Sequence, residues 1–288
     1  MANKPSKRAK APAGALKNPS FLIGAALLLI VVACAALADV IAPQGYDAVN
    51  IMEKLKQPGF VDPSSPYPLG TDHIGRDLFA RIVHGSRIAL SVGLVAVLIE
   101  TIIGVVLGLV AGYYGGKTDS VILFVTDLTW AVPPVVLALA IVTVIGSNLM
   151  NVVISIAVVS WAQFTRIVRA RTQALKNLPF VEAARAIGES DLSIILRYIL
   201  PNVLSSIVVI ATLALPAAIL STSALSFMGL GAQQPLPDWG SILSDGINYM
   251  RKQPFLTIAP GVALAVTVLG FNLLGEGLRE MLDPKLKV

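Results

Sequence analysis

Glu182-Ala183-Ala184-Arg185-Ala186-Ile187-Gly188 lies in a polar stretch between two long apolar runs, and a second short apolar run after it stops at Leu200-Pro201. Pro179 suits the first position of a helix, Gly188 with Glu189-Ser190 breaks that helix, and Ser190 or Asp191 can cap a second one. On that second helix Leu192, Ile195, Leu196 and Ile199 share one face at helical spacing. The pattern predicts a helix-turn-helix bracket within residues 165–201, lying at the surface of a membrane. A membrane chain rarely sets aside so long a polar stretch without a partner to receive it.

The membrane follows from composition. Of 288 residues 55% are hydrophobic and only 14% charged, with a mean hydropathy of +0.77, against about 25% charged in soluble domains. Apolar runs occupy Phe21–Ala42, Ile88–Gly112, Val121–Ile145, Leu149–Phe164, Val203–Leu225 and Leu256–Gly275, each near the ~17–25 residues that cross a bilayer as helix. An all-α integral membrane protein with six transmembrane helices is expected. The Leu149–Phe164 run is short and carries Asn151, yet without it the bracket would fall on the opposite face. Fifteen of the 22 Lys and Arg lie on the face that holds the termini and the bracket, and seven on the other. Positive charge retained on the cytoplasmic side places both termini and the bracket there, in a multi-pass plasma-membrane protein. The expected organisation is a basic cytoplasmic tail over 1–20, a first span over 21–42, an extracytoplasmic loop with an interfacial helix over 43–87, a core over 88–280 and a cytoplasmic tail over 281–288.

Lys4, Lys7, Arg8, Lys10 and Lys17 precede an apolar run that lacks a convincing cleavage site, so that run is read as a retained anchor. The basic tail and the pI near 9.4 are then explained by topology and membrane lipid, not by nucleic acid. Cys34 is the single cysteine and sits in the first span, which excludes an internal disulfide.

Between the first two spans, Gln57-Pro58-Gly59 through Pro66-Tyr67-Pro68 is too polar and proline-dense to be membrane helix. Beyond it Asp72 can cap a helix whose Leu78, Phe79, Ile82 and Val83 form an apolar stripe beside Arg76, Arg81 and Arg87, an interfacial helix leading into the second span. Residues 226–254, punctuated by Gly229, Gly231, Pro235, Pro237, Asp238 and Trp239, read as a folded extracytoplasmic element or shallow re-entrant turn. No internal repeat is visible, which counts against the inverted-repeat secondary transporters.

Glu-Ala-Ala at 182–184, Gly188 four residues later and Leu200-Pro201 twelve beyond that glycine resemble the signature cytoplasmic loop of ABC-importer permeases, with Tyr198 standing where an isoleucine is usual. A second set of motifs is similar to one permease of the dipeptide and oligopeptide (and nickel) importers. It comprises Leu69-Gly70-Thr71-Asp72, Gly75-Arg76-Asp77 with Arg81, Gly85 and Arg87, Gly112-Tyr113-Tyr114-Gly115-Gly116, Asp127 with Pro133, and Phe227-Met228-Gly229-Leu230-Gly231-Ala232-Gln233. Pro237-Asp238-Trp239-Gly240 and Phe271–Arg279 running to Leu282-Asp283-Pro284 complete it. The departures are Glu276 where an aspartate is common and Gln234 where a proline often lies.

The resemblance implies a type I ABC-importer permease fold in which 88–280 is the permease core and the 165–201 loop forms coupling helices. It implies a subunit without its own ATPase site, no cofactor, and as partners a homologous second permease, two ATP-binding subunits and an extracytoplasmic solute-binding protein. Glu182, Ala183, Ala184, Gly188, Asp191, Leu200 and Pro201 are then the ATPase-coupling residues: Glu182 by a charged contact or capping, the alanines by close approach, Gly188 by the turn. The two bracket helices are expected to continue the fourth and fifth spans. Gln233, Asp238 and Trp239 are candidates for the face that receives the binding protein. Dipeptides or oligopeptides are the implied cargo, with nickel chelates, glutathione or opines as alternatives within the class. A proton-coupled secondary transporter is the rival outside it.

Glu100 lies near the middle of the second span, where an ionised carboxylate is costly. It either meets cargo in the translocation path or makes a helix-helix hydrogen bond. Asp127 can pair with Arg166 or Arg169, structurally or as part of a gate. Pro133-Pro134, Pro216 and Pro260 each free a backbone carbonyl and bend a span, through packing or to shape a cavity. Gly104, Gly108 and Gly112 mark a close helix contact, internal or with a partner subunit. His73 and His84 lack ligand spacing, so no metal site is expected. His-Glu-x-x-His, Gly-x-Ser-x-Gly and phosphate-loop patterns are absent from the sequence, and with them any catalytic residues.

Overall fold

A computed structural model describes residues 18–282. The basic residues Lys4 to Lys17 and the Asp283-Pro284 pair lie outside the described residues. The described chain is helical, with a lone bridge between Thr71 and Asp77 and no strand. Its helices are α1 (Pro19–Ala36), α2 (Ala38–Ile41), α3 (Leu78–Tyr114), α4 (Gly116–Trp130), α5 (Pro134–Ile145), α6 (Leu149–Leu175), α7 (Pro179–Ala186), α8 (Asp191–Ile194), α9 (Leu200–Phe227), α10 (Trp239–Ile247) and α11 (Phe255–Leu282). A π-helical turn, Ile195–Ile199, joins α8 to α9, so Asp191–Phe227 forms one 37-residue rod.

Among the described residues five helices are long and apolar enough to cross a membrane, and six when α4 and α5 count as one broken span. The third span is therefore not a kinked rod: α4 and α5 meet at 87°. Pro134 forces its predecessor out of the helical region, and Pro133 at φ −53°, ψ 129° obeys, while Pro134 opens α5. The expected interfacial helix is also not separate. It is the first turns of α3, capped by Asp77 accepting from Phe79 N at 2.9 Å, not by Asp72.

The broadest pairing in the bundle is α3 against α6, with α1 laid on α11 and the Asp191–Phe227 rod packed against both α3 and α11. The glycines on α3 explain the first of these. A Cβ on Gly104, Gly108 or Gly112 would lie 2.8 Å from the carbonyl oxygens of Trp161, Thr165 and Arg169 respectively. Backbone meets backbone at three successive turns, which removes the open choice between internal and partner contact in favour of internal packing.

The end of the bundle away from the bracket is closed by buried charge. Asp72 accepts from the Arg76 backbone N–H at 3.0 Å and from Arg76 Nε at 2.6 Å, and Arg76 also donates to Gln234. Arg81, 1% exposed, reaches the Pro235 carbonyl at 3.4 Å, and Trp239 Nε1 donates to the Ile82 carbonyl at 3.0 Å. Arg76 and Arg81 thus lie inside the fold instead of flanking an interfacial stripe. Arg87 remains near the surface and pairs with Asp39 at 2.9 Å.

Gly108→Ala is expected to destabilise the chain by about 1–3 kcal/mol, because the added methyl must push two helix backbones apart. A Cβ at Gly261 on α11 meets nothing within 4 Å, so Gly261→Ala should be neutral or gain roughly 0.5–1 kcal/mol. Thermal unfolding of the purified chain in mild detergent reads both, and equal midpoint shifts would contradict the close packing.

Candidate functional site

The bracket is built by local sequence. Leu178 precedes Pro179 and is extended at φ −81°, ψ 149°, so α6 ends at Leu175 and α7 starts afresh. The first bracket helix is therefore not continuous with the fourth span, contrary to expectation, whereas the second is continuous with the fifth. Gly188 adopts φ +85°, a left-handed conformation that costs a side-chain-bearing residue about 1–2 kcal/mol. Ser190 caps the next helix by accepting from Ser193 N at 3.4 Å.

The inward faces form one apolar cluster: Val181 and Ala184 of α7, Ile194, Ile195, Ile199, Val203 and Ile207 of the rod, Leu109 and Tyr113 of α3, and Val168 of α6. The expected stripe of Leu192, Ile195, Leu196 and Ile199 is corrected by the π turn. Leu200 N bonds to the carbonyl of Ile195, one residue further back than in an α-helix. That extra residue turns Ile194 inward and leaves Leu192 and Leu196 out, 65% and 50% exposed beside Ile187 at 77%. These three apolar side chains stand on the polar island, where lipid tails do not explain their exposure.

Glu182 and Ala183 are exposed on α7, and Ala184 is buried. Glu182 lies in the first turn, where a carboxylate is favoured by the helix dipole. Leu200 is half-buried and Pro201 exposed at the start of α9. Asp191 accepts a hydrogen bond from the Tyr113 hydroxyl at 2.6 Å. Tyr113 escaped the sequence reading, although the Gly112-Tyr113-Tyr114-Gly115-Gly116 motif that contains it was in view.

At the elbow between α4 and α5, Asp127 pairs with Arg166 at 2.6 Å, and the Arg166 guanidinium lies 4.4 Å from the Trp130 ring centre. Arg169 pairs instead with Asp119. Pro133 is exposed beside them. Glu100 on α3 is 2% exposed, turned into the protein interior.

Of the three residues expected to face a docking protein, only Gln233 is exposed. Asp238 and Trp239 are 3% and 2% exposed. Asp238 caps α10 by accepting from Ser241 N at 3.1 Å, and burial pushes its carboxyl up. Both are therefore corrected from surface to core, since capping a helix that lies on α9 and α11 draws its first turn inward. His84 Nε2 lies 3.2 Å from the Ala42 carbonyl, and His73 stacks on Tyr249 at 5.5 Å.

The family described as binding-protein-dependent transport system inner membrane component matches residues 104–288, and the one described as N-terminal TM domain of oligopeptide transport permease C matches residues 15–58. The glutathione transport system permease protein GsiD of Pectobacterium atrosepticum is 44% identical over 262 residues, covering 90% of this chain and 85% of that relative. GsiD of Escherichia coli O6:K15:H31 is 45% identical over 261 residues, covering 91% and 84%. Among solved structures, an inward-facing MetNI methionine ABC transporter shares the fold with a TM-score of 0.57 at 20% identity, covering 71% of this chain and 97% of that one.

Gly188→Val should loosen the bracket and raise trypsin cleavage at the exposed Arg185 and Arg197 in detergent-solubilised protein. Gly188→Asn should not, because asparagine visits the left-handed region. Equal cleavage of both variants and the wild type would contradict the strained turn.

Proposed function

The chain belongs to the family of binding-protein-dependent transport system inner membrane components, and from that premise we propose that it forms half of the path of an ATP-driven importer for glutathione and short peptides. As a member it is the permease subunit of an ABC importer in the inner membrane. It works with a second permease, a binding protein and a partner ATPase that supplies the energy. The observation that carries the cargo assignment is 44% identity across 90% of the chain to a protein named a glutathione permease. Glutathione is itself a small peptide, so its amide, amine and carboxylate chemistry is shared with dipeptides and oligopeptides.

In this reading two ATP-binding subunits dock on the bracket, which faces the cytoplasm together with both termini. Support comes from Ile187, Leu192 and Leu196, exposed and apolar outside the spans, with Glu182 and Ala183 alongside. ATP-driven closure of the ATPase pair would push on this surface, and the rod would carry the push into the membrane. Asp127, with Arg166 and Pro133, faces away from the subunit's own core and is assigned to the wall of the path. Glu100, buried on α3, is assigned to support that wall from behind. Gln233 is assigned to the surface that receives the binding protein.

The test is uptake by proteoliposomes holding the whole complex. ATP-dependent accumulation of labelled glutathione, competed by unlabelled dipeptides, is expected. Accumulation driven by a proton gradient without ATP would overturn the reading. The double variant Ile187→Asp, Leu192→Asp should insert normally yet lose its ATPase partner on affinity purification, since charges replace the apolar anchors of the interface.

A further inference from the structure

Four segments of the chain meet at one residue. Tyr113 sits in the last turn of α3 and is 6% exposed. Its hydroxyl donates to Asp191 Oδ1 at 2.6 Å, at the start of the rod. The Arg185 guanidinium of α7 lies 5.9 Å from its ring centre, and Lys176 Nζ, just past α6, donates to its carbonyl at 3.3 Å. Its ring belongs to the cluster that holds Val181, Ala184, Ile194 and Ile195. We propose that Tyr113 is a positioning residue for transport, a latch that makes the second span follow the bracket when the ATPase moves it.

Packing alone does not account for these contacts. A phenylalanine would fill the same space, so the hydroxyl is present for Asp191. Asp191 in turn is not needed as a cap, because Ser190 already accepts from Ser193 N. Its carboxylate is directed sideways to α3 instead. A hydroxyl bonded to a carboxylate is short and directional, so a displacement of Asp191 pulls on Tyr113 or breaks the bond. Since α3 is held to α6 at Gly104, Gly108 and Gly112, the pull reaches the α3–α6 pair as one body. Without the bond, the bracket would still dock its partner and move, but the second and fourth spans would lag.

The latch rests on the reading that the bracket receives an ATPase. The experiment measures, on the reconstituted complex, cargo transported per ATP hydrolysed. Tyr113→Phe is expected to assemble and hydrolyse ATP normally but to transport about tenfold less per ATP, the scale set by one hydrogen bond to a charged group. Asp191→Ala should lower the transport-to-ATP ratio at least as far, and adding Tyr113→Phe to it should lower the ratio no further. Asp191→Asn keeps an oxygen that accepts from the hydroxyl and should keep the wild-type ratio, a rescue that a purely structural role would not produce. A Tyr113→Phe ratio equal to wild type, or an Asp191→Asn loss as deep as Asp191→Ala, would overturn the latch while leaving the docking reading intact. A wild-type chain that recruits no ATPase would overturn the docking reading itself, and the latch with it.

Discussion

The approach of α3 to α6 is the constraint on which the remaining architecture depends. In a bilayer the lipid tails are as apolar as leucine, so no hydrophobic force drives two spans together, and close van der Waals packing has to do so. Gly104, Gly108 and Gly112 give that packing at three turns in a row, with the α6 carbonyls of Trp161, Thr165 and Arg169 directly opposite. Fixing α6 on α3 fixes where α6 ends, at Leu175, beside the end of α3 at Tyr114. The bracket then leaves from a defined point and folds back onto both helices through Val181, Ala184 and Ile194. Replacing one of these glycines therefore disturbs a site some distance along the bundle.

The two ends of the bundle are stabilised by different physics. Away from the bracket, two buried arginines share Asp72, Arg76 also donates to Gln234, and Arg81 Nη1 reaches backbone carbonyls. Such a network is costly to desolvate and strongly destabilising to break, which suits a part that must hold its shape. At the bracket end few charges are buried, the contacts to α3 and α6 are mainly apolar with the Tyr113–Asp191 bond across them, and Ile187, Leu192 and Leu196 are left outside. That is the composition of a surface meant to be covered by another subunit.

Much of this was legible in the sequence. Apolar runs located the spans, and Pro179 and Gly188 located the bracket with its start and its turn, while the second cap was left between Ser190 and Asp191 and falls to Ser190. Asp127 with Arg166 followed from both residues lying near one end of neighbouring spans. What escaped has physical reasons. A π turn carries no residue signature, so the rotation that exposes Leu192 and Leu196 could not be read from helical spacing. Consecutive prolines announce a break but not its 87° angle, which depends on what α5 packs against. Asp238 and Trp239 are the residue types of a polar loop, and only the seating of α10 against α9 and α11 shows that they are interior. Tyr113 was hidden in a motif whose glycines drew the attention.

The length of the rod gives the bracket its leverage. At 1.5 Å per residue, 37 helical residues span about 55 Å, nearly twice the ~30 Å hydrocarbon core of a bilayer. A force applied at Asp191 therefore acts on one end of a continuous helical element that runs to Phe227. The first bracket helix is different, because the extended Leu178 and the left-handed Gly188 interrupt the backbone on both sides of α7. Helix α7 is thus a short plate between two breaks in the backbone, seated on the core through Val181 and Ala184, while the rod cannot tilt without moving the fifth span. On the proposed coupling, motion entering through the exposed apolar patch would pass along the rod into the fifth span. The Tyr113–Asp191 bond ties the base of the rod to α3, and on the same proposal would carry that motion to the second and fourth spans together with the fifth.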